Sequence, residues 1–334
     1  TSPARSERYM ITRNLKVFFV SFAASVSLWW GINAASANLA QFFFAHDLNT
    51  DPAMIAAYVA RRDLEQKLQN EYPLRKENAQ GLELQARSIL ALYVRRNGST
   101  KVLFEKNSEI PLPIASISKL MTALVAIRNY SPEARITINQ KMLETPGEAG
   151  QLRLNDAFFV KDLLYLALME SSNDAAVALA EPIGIEKFVL LMNEEAVRLN
   201  LRASLFVNPT GLDELDRNNS SSVSDLAKLA RYLLKNYPQV FDILSQSELA
   251  LYTPDGIFHH TMRNTNELLG YYEWPAQTLG GKTGTTPQAR ETLLLVVESP
   301  DKAGYIINVL LGSEARFQEM RHLLQWILQW SNWG

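Results

Sequence analysis

The sequence predicts an α/β domain whose antiparallel sheet is built from both ends of the folded region, with flanking helices and a helical subdomain in the middle. One hairpin is indicated at 88–104, where two β-friendly segments surround the turn signal Asn97-Gly98. A second hairpin is indicated at 292–311, around Pro300-Asp301. Between the two hairpins, apolar residues recur at the spacing of amphipathic helices.

The predicted elements follow one another from an early hairpin, through a run of helices, to a late hairpin and a closing helix. The pattern at 175–199 is interrupted by Pro182-Ile183-Gly184, which predicts a break in that helix. In chain order the elements are strands 88–94 and 101–104, helices 116–126, 163–169, 175–199 and 223–234, strands 292–298 and 305–311, and helix 317–330.

The composition is that of an ordinary globular protein. The 334 residues are 47% hydrophobic and 20% charged, which excludes a mainly disordered chain. The net charge of −2 provides no basic excess, so no nucleic-acid partner is expected. Cysteine is absent, which excludes disulfides, thiolate metal sites and a cysteine nucleophile. No His-Glu-x-x-His pairing is present either, so no metal site is predicted.

Residues 1–45 are predicted to form a basic cytoplasmic tail and a membrane anchor or signal segment. Basic residues are spread over the first 16 positions, and residues 17–45 contain no charged side chain. A helix of about 20 apolar residues suffices to cross a bilayer. The small residues at 35–37 would suit cleavage, whereas the aromatic residues at 29–30 and 42–44 favour an uncleaved anchor. Both alternatives place the remainder of the chain outside the cytoplasm.

Residues 46–85 are predicted to be a helix and a linker. The segment 51–70 has helical composition and ends before Tyr72-Pro73, because the residue preceding proline avoids helical angles. Residues 76–85 are polar and are expected to be extended. The folded domain is therefore predicted to occupy 86–334.

The first short motif with chemical meaning is Ser116-Ile117-Ser118-Lys119, at the start of a predicted helix. Residues three apart lie on one helix face, so the amine of Lys119 can reach the hydroxyl of Ser116. The N–H groups at a helix start also favour developing negative charge. Composition alone predicts about one Ser-x-x-Lys in such a chain, and a second match occurs at 299–302, in the predicted late turn.

The second and third motifs differ in how readily they arise by chance in a sequence of this composition. Ser171-Ser172-Asn173 lies between two predicted helices, where serine and asparagine are also preferred helix caps. The third motif, Lys282-Thr283-Gly284-Thr285, is much rarer by composition. A phosphate-binding loop is excluded because the required upstream glycine is Ala276 and because this motif leads into a strand.

The order and spacing of the three motifs resemble the active-site signature of penicillin-binding proteins and serine β-lactamases. The wider segments narrow this resemblance to the low-molecular-mass D-alanyl-D-alanine carboxypeptidases, peptidase family S11, over about 82–330. These segments are 113–122, 170–176, 208–213 and 281–285. The resemblance implies a β-lactamase/transpeptidase-like fold. Two departures are visible: Ser118 replaces the usual threonine, and Arg290 replaces a common glycine.

The resemblance implies an acyl-enzyme mechanism without a metal or an organic cofactor. Ser116 would be the nucleophile and Lys119 its base, provided that burial and the charge of Lys282 keep its amine neutral. The other implied catalytic residues are Ser171, for proton relay, and Asn173, for holding the substrate. Lys282, Thr283, Gly284 and Thr285 would form the substrate-binding strand, with the backbone N–H groups of Ser116 and Thr285 as the oxyanion hole.

The implied activity is removal of the terminal D-alanine from peptidoglycan stem peptides, with β-lactams as inhibitors. A class A β-lactamase is an alternative, because Glu214 and Asn218 match its Glu-x-x-x-Asn pattern, although we interpret them as part of a solvated loop. A transpeptidase that uses an amine acceptor and a non-catalytic cell-wall binding protein are further alternatives. The sequence leaves the acyl acceptor and the oligomeric state open.

Overall fold

The structure is a computed structural model that describes residues 56, 59–62, 73–146, 150–270 and 273–333. The chain divides into two units, Thr1–Tyr72 and Pro73–Gly334. In the first unit the described residues are helical, and the predicted anchor or signal segment at 1–45 lies outside them. Within the described ranges, none of the helices combines the length and the apolar character that a bilayer span requires.

The second unit begins at Pro73, earlier than the boundary predicted at Ala86. Its first strand, Leu74–Arg75, pairs antiparallel with Ser331–Asn332 at the other end of the unit. Trp326 Nε1 donates a hydrogen bond of 2.8 Å to the carbonyl of Gln80. This polar segment is attached partly through its backbone, and Leu82 and Leu84 pack against the core on the α7 side of the sheet.

Five strands form the central antiparallel sheet, in the order β10-β11-β12-β2-β3. The remaining strands form two-stranded pairs. The strands are β1 Leu74–Arg75, β2 Ser88–Arg95, β3 Thr100–Lys106, β4 Leu112–Pro113, β5 Arg135–Thr137, β6 Ala157–Phe159, β7 Ser220–Ser221, β8 Glu248–Tyr252, β9 Phe258–Arg263, β10 Thr278–Thr286, β11 Arg290–Glu298, β12 Gly304–Ser313 and β13 Ser331–Asn332.

Helices cover both faces of the sheet. They are α1 Lys119–Asn129, α2 Val160–Met169, α3 Asn173–Ala180, α4 Ile185–Arg198, α5 Val223–Asn236, α6 Gln239–Leu244 and α7 Arg316–Trp330. Alternate residues of β11 point to opposite faces of the sheet. Leu294 and Val296 pack with the central helices on one face, whereas Leu293 and Leu295 pack with α7 on the other. Because both faces are covered, the middle of β11 is buried without interruption.

The predicted fold class is confirmed, and most predicted elements are present with shifts at their ends. The pattern at 175–199 is indeed two helices, α3 and α4, separated by a turn in which Gly184 has φ +91°. Sequence analysis did not identify the β8–β9 hairpin, α6 or β10. The third motif lies inside β10 rather than before a strand, because β10 is rich in glycine and threonine and has no apolar alternation.

Candidate active site

Ser116 lies in a short 3₁₀ turn, Ala115–Ser118, that leads directly into α1. Lys119 is the first residue of α1, and its Nζ lies 2.9 Å from Ser116 Oγ. Ala115 has φ +49°, and its carbonyl accepts a hydrogen bond of 2.8 Å from Ser118 Oγ. A hydroxyl at position 118 is enough for this bond, which explains why serine can stand where the family usually has threonine.

The amine of Lys119 is fully buried and has three polar neighbours. Besides Ser116 Oγ, Nζ lies 2.8 Å from Asn173 Oδ1 and 2.7 Å from the carbonyl oxygen of Thr210. Burial, and then the nearby charge of Lys282, lower the pKa of Lys119 well below its usual value. A neutral amine has two N–H donors and one lone pair. Two acceptors and one hydroxyl can therefore accommodate the neutral form.

The second motif occupies the tight connection between α2 and α3. Ser171 has φ +63°, a left-handed conformation that is uncommon outside glycine. Ser172 is the N-cap of α3, and its hydroxyl accepts a hydrogen bond of 3.1 Å from the Ala175 N–H. The capping role thus belongs to Ser172, which leaves Ser171 to face the site. Asn173 begins α3 and donates a 2.8 Å hydrogen bond from Nδ2 to the Pro146 carbonyl.

Lys282, in β10, connects the third motif to the second. Its side chain is buried, and Nζ donates hydrogen bonds of 2.9 Å to Ser171 Oγ and 3.0 Å to the carbonyl of Thr283. Burial, and then the charge of Arg316, lower the pKa of Lys282 to about 7. Lys282 therefore exchanges its proton near neutral pH, whereas burial and the charge of Lys282 favour the neutral form of Lys119.

The rest of the third motif follows β10 past the nucleophile. Thr283 is buried, and its hydroxyl lies 2.6 Å from that of Thr265, so either can donate. Thr285 is exposed. A Cβ on Gly284 would lie 2.8 Å from the Ser116 nitrogen and 2.5 Å from Thr292 Oγ1. Glycine at 284 is therefore what allows β10 to approach the turn that holds Ser116.

Sequence analysis missed Arg316, at the start of α7. Its Nη1 donates a hydrogen bond of 2.9 Å to the Gly284 carbonyl and also contacts Thr285 Oγ1. Burial lowers the pKa of Arg316, and the carboxylates of Glu291 and Glu267 oppose that effect. An isolated arginine after a strand has no local motif, so only the tertiary fold brings it to the site.

The segment 208–213 packs against the turn that holds the nucleophile, Ser116. Gly211 has φ +87°, and a Cβ there would lie 2.0 Å from the Ala115 carbonyl oxygen. The Thr210 carbonyl binds Lys119, as described above. The Thr286 hydroxyl donates a 2.8 Å hydrogen bond to Asp213 Oδ1, which joins this segment to the end of β10. In the sequence these residues carried no signal apart from their resemblance to the family.

Two residues that sequence analysis singled out have partners outside the reactive groups, although Glu214 also lines the cavity described below. Arg290 has φ +56°, which explains why glycine is common there, and its guanidinium forms an exposed ion pair of 3.1 Å with Glu314. Glu214 is exposed and accepts a 2.8 Å hydrogen bond from Asn208 Nδ2. The prediction that Glu214 belongs to a solvated loop is therefore confirmed.

A cavity of about 670 Å³ opens beside Thr285. Its walls include Lys141, Glu181, Thr210 and Thr285, so it is lined by the segment 208–213 and by the end of β10. Among the residues that the structure describes, no group of three or more His, Asp or Glu side chains is arranged to hold a metal ion. The described site thus brings together a serine, an amine base and cations beside β10.

The chain is similar to known proteins over most of its second unit. The profile of the D-alanyl-D-alanine carboxypeptidase family, peptidase S11, matches residues 75–315. A D-alanyl-D-alanine endopeptidase of Escherichia coli K12 is 33% identical over 69% of this chain and 74% of its own length. A D-alanyl-D-alanine endopeptidase of Pseudomonas aeruginosa is 30% identical over 76% of this chain and 79% of its own length.

The fold comparison agrees with the sequence comparison. Penicillin-binding protein D2 of Listeria monocytogenes, in its ampicillin-bound form, superposes with a TM-score of 0.63 at 28% identity. The match covers 75% of this chain and all of that one, 100%. The family that the three motifs predicted is confirmed, and the chain belongs to the D-alanyl-D-alanine carboxypeptidase family of serine peptidases, S11.

Proposed function

We propose that this chain hydrolyses the terminal D-alanyl-D-alanine bond of peptidoglycan stem peptides through an acyl-enzyme on Ser116. The observation that carries the proposal is the match between Lys119 and its three neighbours. When the amine is neutral, its two N–H groups can donate to Asn173 Oδ1 and the Thr210 carbonyl, and its lone pair can face the Ser116 hydroxyl 2.9 Å away. Lys119 can then accept the hydroxyl proton as Ser116 attacks the carbonyl carbon.

Two cations beside β10 suit the substrate's terminal carboxylate. Lys282 in its protonated form and Arg316 both lie along β10, where the exposed Thr285 hydroxyl adds a donor. The Thr283 hydroxyl is engaged with Thr265 and can contribute by exchanging that bond. Binding of this carboxylate would place the last peptide bond of the substrate over Ser116.

The two backbone N–H groups of Ser116 and Thr285 are our proposed oxyanion hole. The close approach of Gly284 to Ser116 supports this assignment, because it brings the backbone of β10 beside that of the nucleophile. Such donors stabilise the negative charge that develops on the carbonyl oxygen. Ser171, bound to Lys282, would pass a proton to the departing amine, and Asn173 would hold the substrate's amide.

In the proposed reaction, Ser116 Oγ forms a bond to the carbonyl carbon while its proton moves to Lys119. Collapse of the intermediate breaks the carbon–nitrogen bond, and the proton that Lys119 took from Ser116 passes through Ser171 to the departing amine, which leaves Lys119 neutral again. Lys119 then takes a proton from water as the water attacks the ester carbon, and it returns that proton to Ser116 Oγ as the ester bond breaks. These steps balance in protons and require no redox partner.

An endopeptidase is the second candidate function, because both relatives described above are named D-alanyl-D-alanine endopeptidase. An endopeptidase cuts a bond whose leaving group continues along the chain. The cavity beside Thr285 provides space for a larger substrate than a terminal dipeptide. The two functions share the acyl-enzyme and differ only in the leaving group.

The site of action that we propose is outside the cytoplasmic membrane, where peptidoglycan is found. We also propose that the segment before residue 46 attaches the chain to that membrane. β-Lactams are the expected inhibitors, since ampicillin is bound by the similar protein from Listeria.

The test is a direct comparison of substrates and a mass measurement. The protein is incubated with a D-Ala-D-Ala peptide and with a cross-linked stem-peptide dimer, and D-alanine release and dimer cleavage are measured together. A labelled penicillin should add its mass at Ser116, and Ser116→Ala should abolish both labelling and hydrolysis. Turnover of neither substrate by the folded protein, or equal labelling of Ser116→Ala, would contradict the proposal.

A further inference from the structure

Strand β8, Glu248–Tyr252, has one unpaired edge within the part of the chain that the structure describes, because it pairs only with β9. The carbonyl of Ser247 accepts a hydrogen bond of 2.8 Å from the Asn264 N–H, which fixes the alternation of the antiparallel ladder. Leu249 and Leu251 therefore direct their backbone groups to β9, whereas the even-numbered residues of β8 direct theirs to the opposite side. Three N–H and three C=O groups thus face away from β9.

These outward-facing groups belong to Glu248, Ala250 and Tyr252, all of which are exposed. Among the described residues, none of their backbone N–H and C=O groups has a hydrogen-bond partner. Proteins usually protect such an edge with a lysine, a proline or a bulge. Strand β8 contains neither lysine nor proline, and the bulge of this hairpin lies on β9. By contrast, the edge strand β3 of the central sheet carries two lysines.

A groove of about 380 Å³ runs along this edge. One wall is the continuous run 249–253, and the opposite wall is formed by Phe159 and by Asp162 and Tyr165 in the first turns of α2. The face of a strand presents only alternate residues, so a continuous run indicates that the groove touches the edge of β8. A space of this size, closed on its far side by α2, holds a short length of one chain and not a folded domain.

The groove is apolar along β8 and acidic at α2. Leu251 is 2% exposed and Leu249 is 36% exposed, so the inner face of the strand offers apolar surface that is partly uncovered. Burial raises the pKa of the Asp162 carboxyl. The neighbouring Lys161 forms its ion pair of 2.9 Å with Glu133, and Asp162 has no ion-pair partner among the described residues. Asp162 is therefore available to a cation from outside.

We propose that the edge of β8 binds an extended segment of a partner protein, which adds a third strand to the β8–β9 hairpin. The segment would have apolar residues at alternate positions, which pack beside Leu249 and Tyr165, and a lysine or arginine that reaches Asp162. Its backbone would complete the hydrogen bonds of the three outward-facing residues. A second copy of this chain fits less well, because its own β8 belongs to a folded hairpin that α2 would exclude. This interaction does not depend on the proposed peptidase activity.

Amide hydrogen exchange of the full chain tests the unpaired edge directly. Without a ligand, the amides of Ala250 and Tyr252 should exchange at least about 10-fold faster than those of Leu249 and Leu251, which are bonded to β9. Slow exchange of Ala250 and Tyr252 in the free chain would show that another part of the chain already covers this edge, and it would overturn the proposal.

The binding probes are short peptides that alternate valine with threonine and carry one lysine, placed at each position in turn. At about 1 mM, at least one of them should protect the amides of Ala250 and Tyr252 from exchange. Backbone pairing depends little on side chains, so absence of protection with every peptide would overturn the proposal. Protection that instead rises with protein concentration and accompanies dimers would assign the edge to a second copy of the chain, which also overturns it.

Backbone N-methylation of the binding peptide provides matched controls that leave the protein unchanged. Methyl groups on one alternate set of amides, those that face β8, should weaken binding by about 10-fold or more, because these amides can no longer donate. Methyl groups on the other alternate set should change the affinity by no more than about twofold. Equal losses from the two sets would contradict the addition of a strand.

Two variants test the same contacts from the side of the protein. Ala250→Pro removes one outward-facing N–H and leaves the ladder with β9 intact, so it should weaken binding by about 10-fold, whereas Ala250→Gly should bind like the wild type. Asp162→Asn should weaken binding of the lysine peptide by about two- to fivefold and leave the norleucine analogue unaffected. Wild-type affinity in the folded Ala250→Pro variant would overturn the proposal, and the methylated peptides decide if that variant does not fold.

Discussion

Replacement of Arg316 tests whether its positive charge lowers the pKa of Lys282. Lys282 must be protonated to bind a carboxylate, and its pKa is lowered from 10.5 to about 7 by burial and then by Arg316. The rate kcat/KM reports the free enzyme, so it should fall as pH rises through about 7. Arg316→Gln removes the second cause only. Because burial is the larger cause, less than half of the lowering should be recovered, and the falling limb should move upward by about one pH unit.

The matched control is Arg316→Lys, which also loses the planar fork but keeps the positive charge. We therefore expect its alkaline limb to stay near that of the wild type, while both variants lose affinity through the missing contacts with Gly284 and Thr285. The assay is D-alanine release from pH 5 to 9, with kcat/KM and kcat determined separately. If the limb moves equally in the two variants, or in neither, the charge of Arg316 does not set the pKa of Lys282.

Three further predictions concern single positions. Lys119→Arg should reduce acylation by about 10²-fold or more, because a guanidinium stays protonated; near-normal rates in a folded variant would refute its role as base. Gly284→Ala should lower the acylation rate by on the order of 10²-fold, since the new Cβ would lie 2.8 Å from the Ser116 nitrogen. The control Gly81→Ala, whose Cβ would have nothing within 4 Å, should acylate at the wild-type rate. Equal acylation rates in the two variants would show that β10 adapts to the new side chain. Glu214→Gln should leave the penicilloyl adduct as long-lived as in the wild type, as judged by intact mass after a penicillin pulse; rapid deacylation that this change blocks would favour a β-lactamase.

The reactive side chains could be predicted from the sequence because each lies within a short segment of fixed local geometry. Ser116 and Lys119 share one turn at the start of α1, so their spacing alone indicates contact. Ser171 and Asn173 flank a helix cap, which the sequence also indicates. The hairpins β2–β3 and β11–β12 were predictable for the same reason, since each forms between neighbouring segments.

The remaining parts of the site depend on distant segments. Arg316 reaches β10 only because α7 packs against the sheet, and the carbonyl of Thr210 carries no side-chain signal. The attachment of Leu74–Arg75 to β13 was missed because backbone pairing leaves no apolar pattern in so short a strand. The β8–β9 hairpin was missed although its two histidines are adjacent in sequence, since the hydrogen-bond partner of His260, Glu170, comes from another element.

The different pKa shifts of Lys119 and Lys282 explain how one site can hold both a base and an anion-binding group. Burial, and then the charge of Lys282, lower the pKa of Lys119 well below its usual value, which favours the neutral form of its amine. Lys282 is equally buried, but its pKa of about 7 leaves it ready to take a proton when a carboxylate arrives. The proton of Lys282 in turn disfavours one on Lys119, since like charges in a low-dielectric site repel strongly. Binding of an anion at Lys282 would stabilise that proton. A substrate with a free carboxylate thus prepares Lys282 for binding without taking the base out of its reactive form.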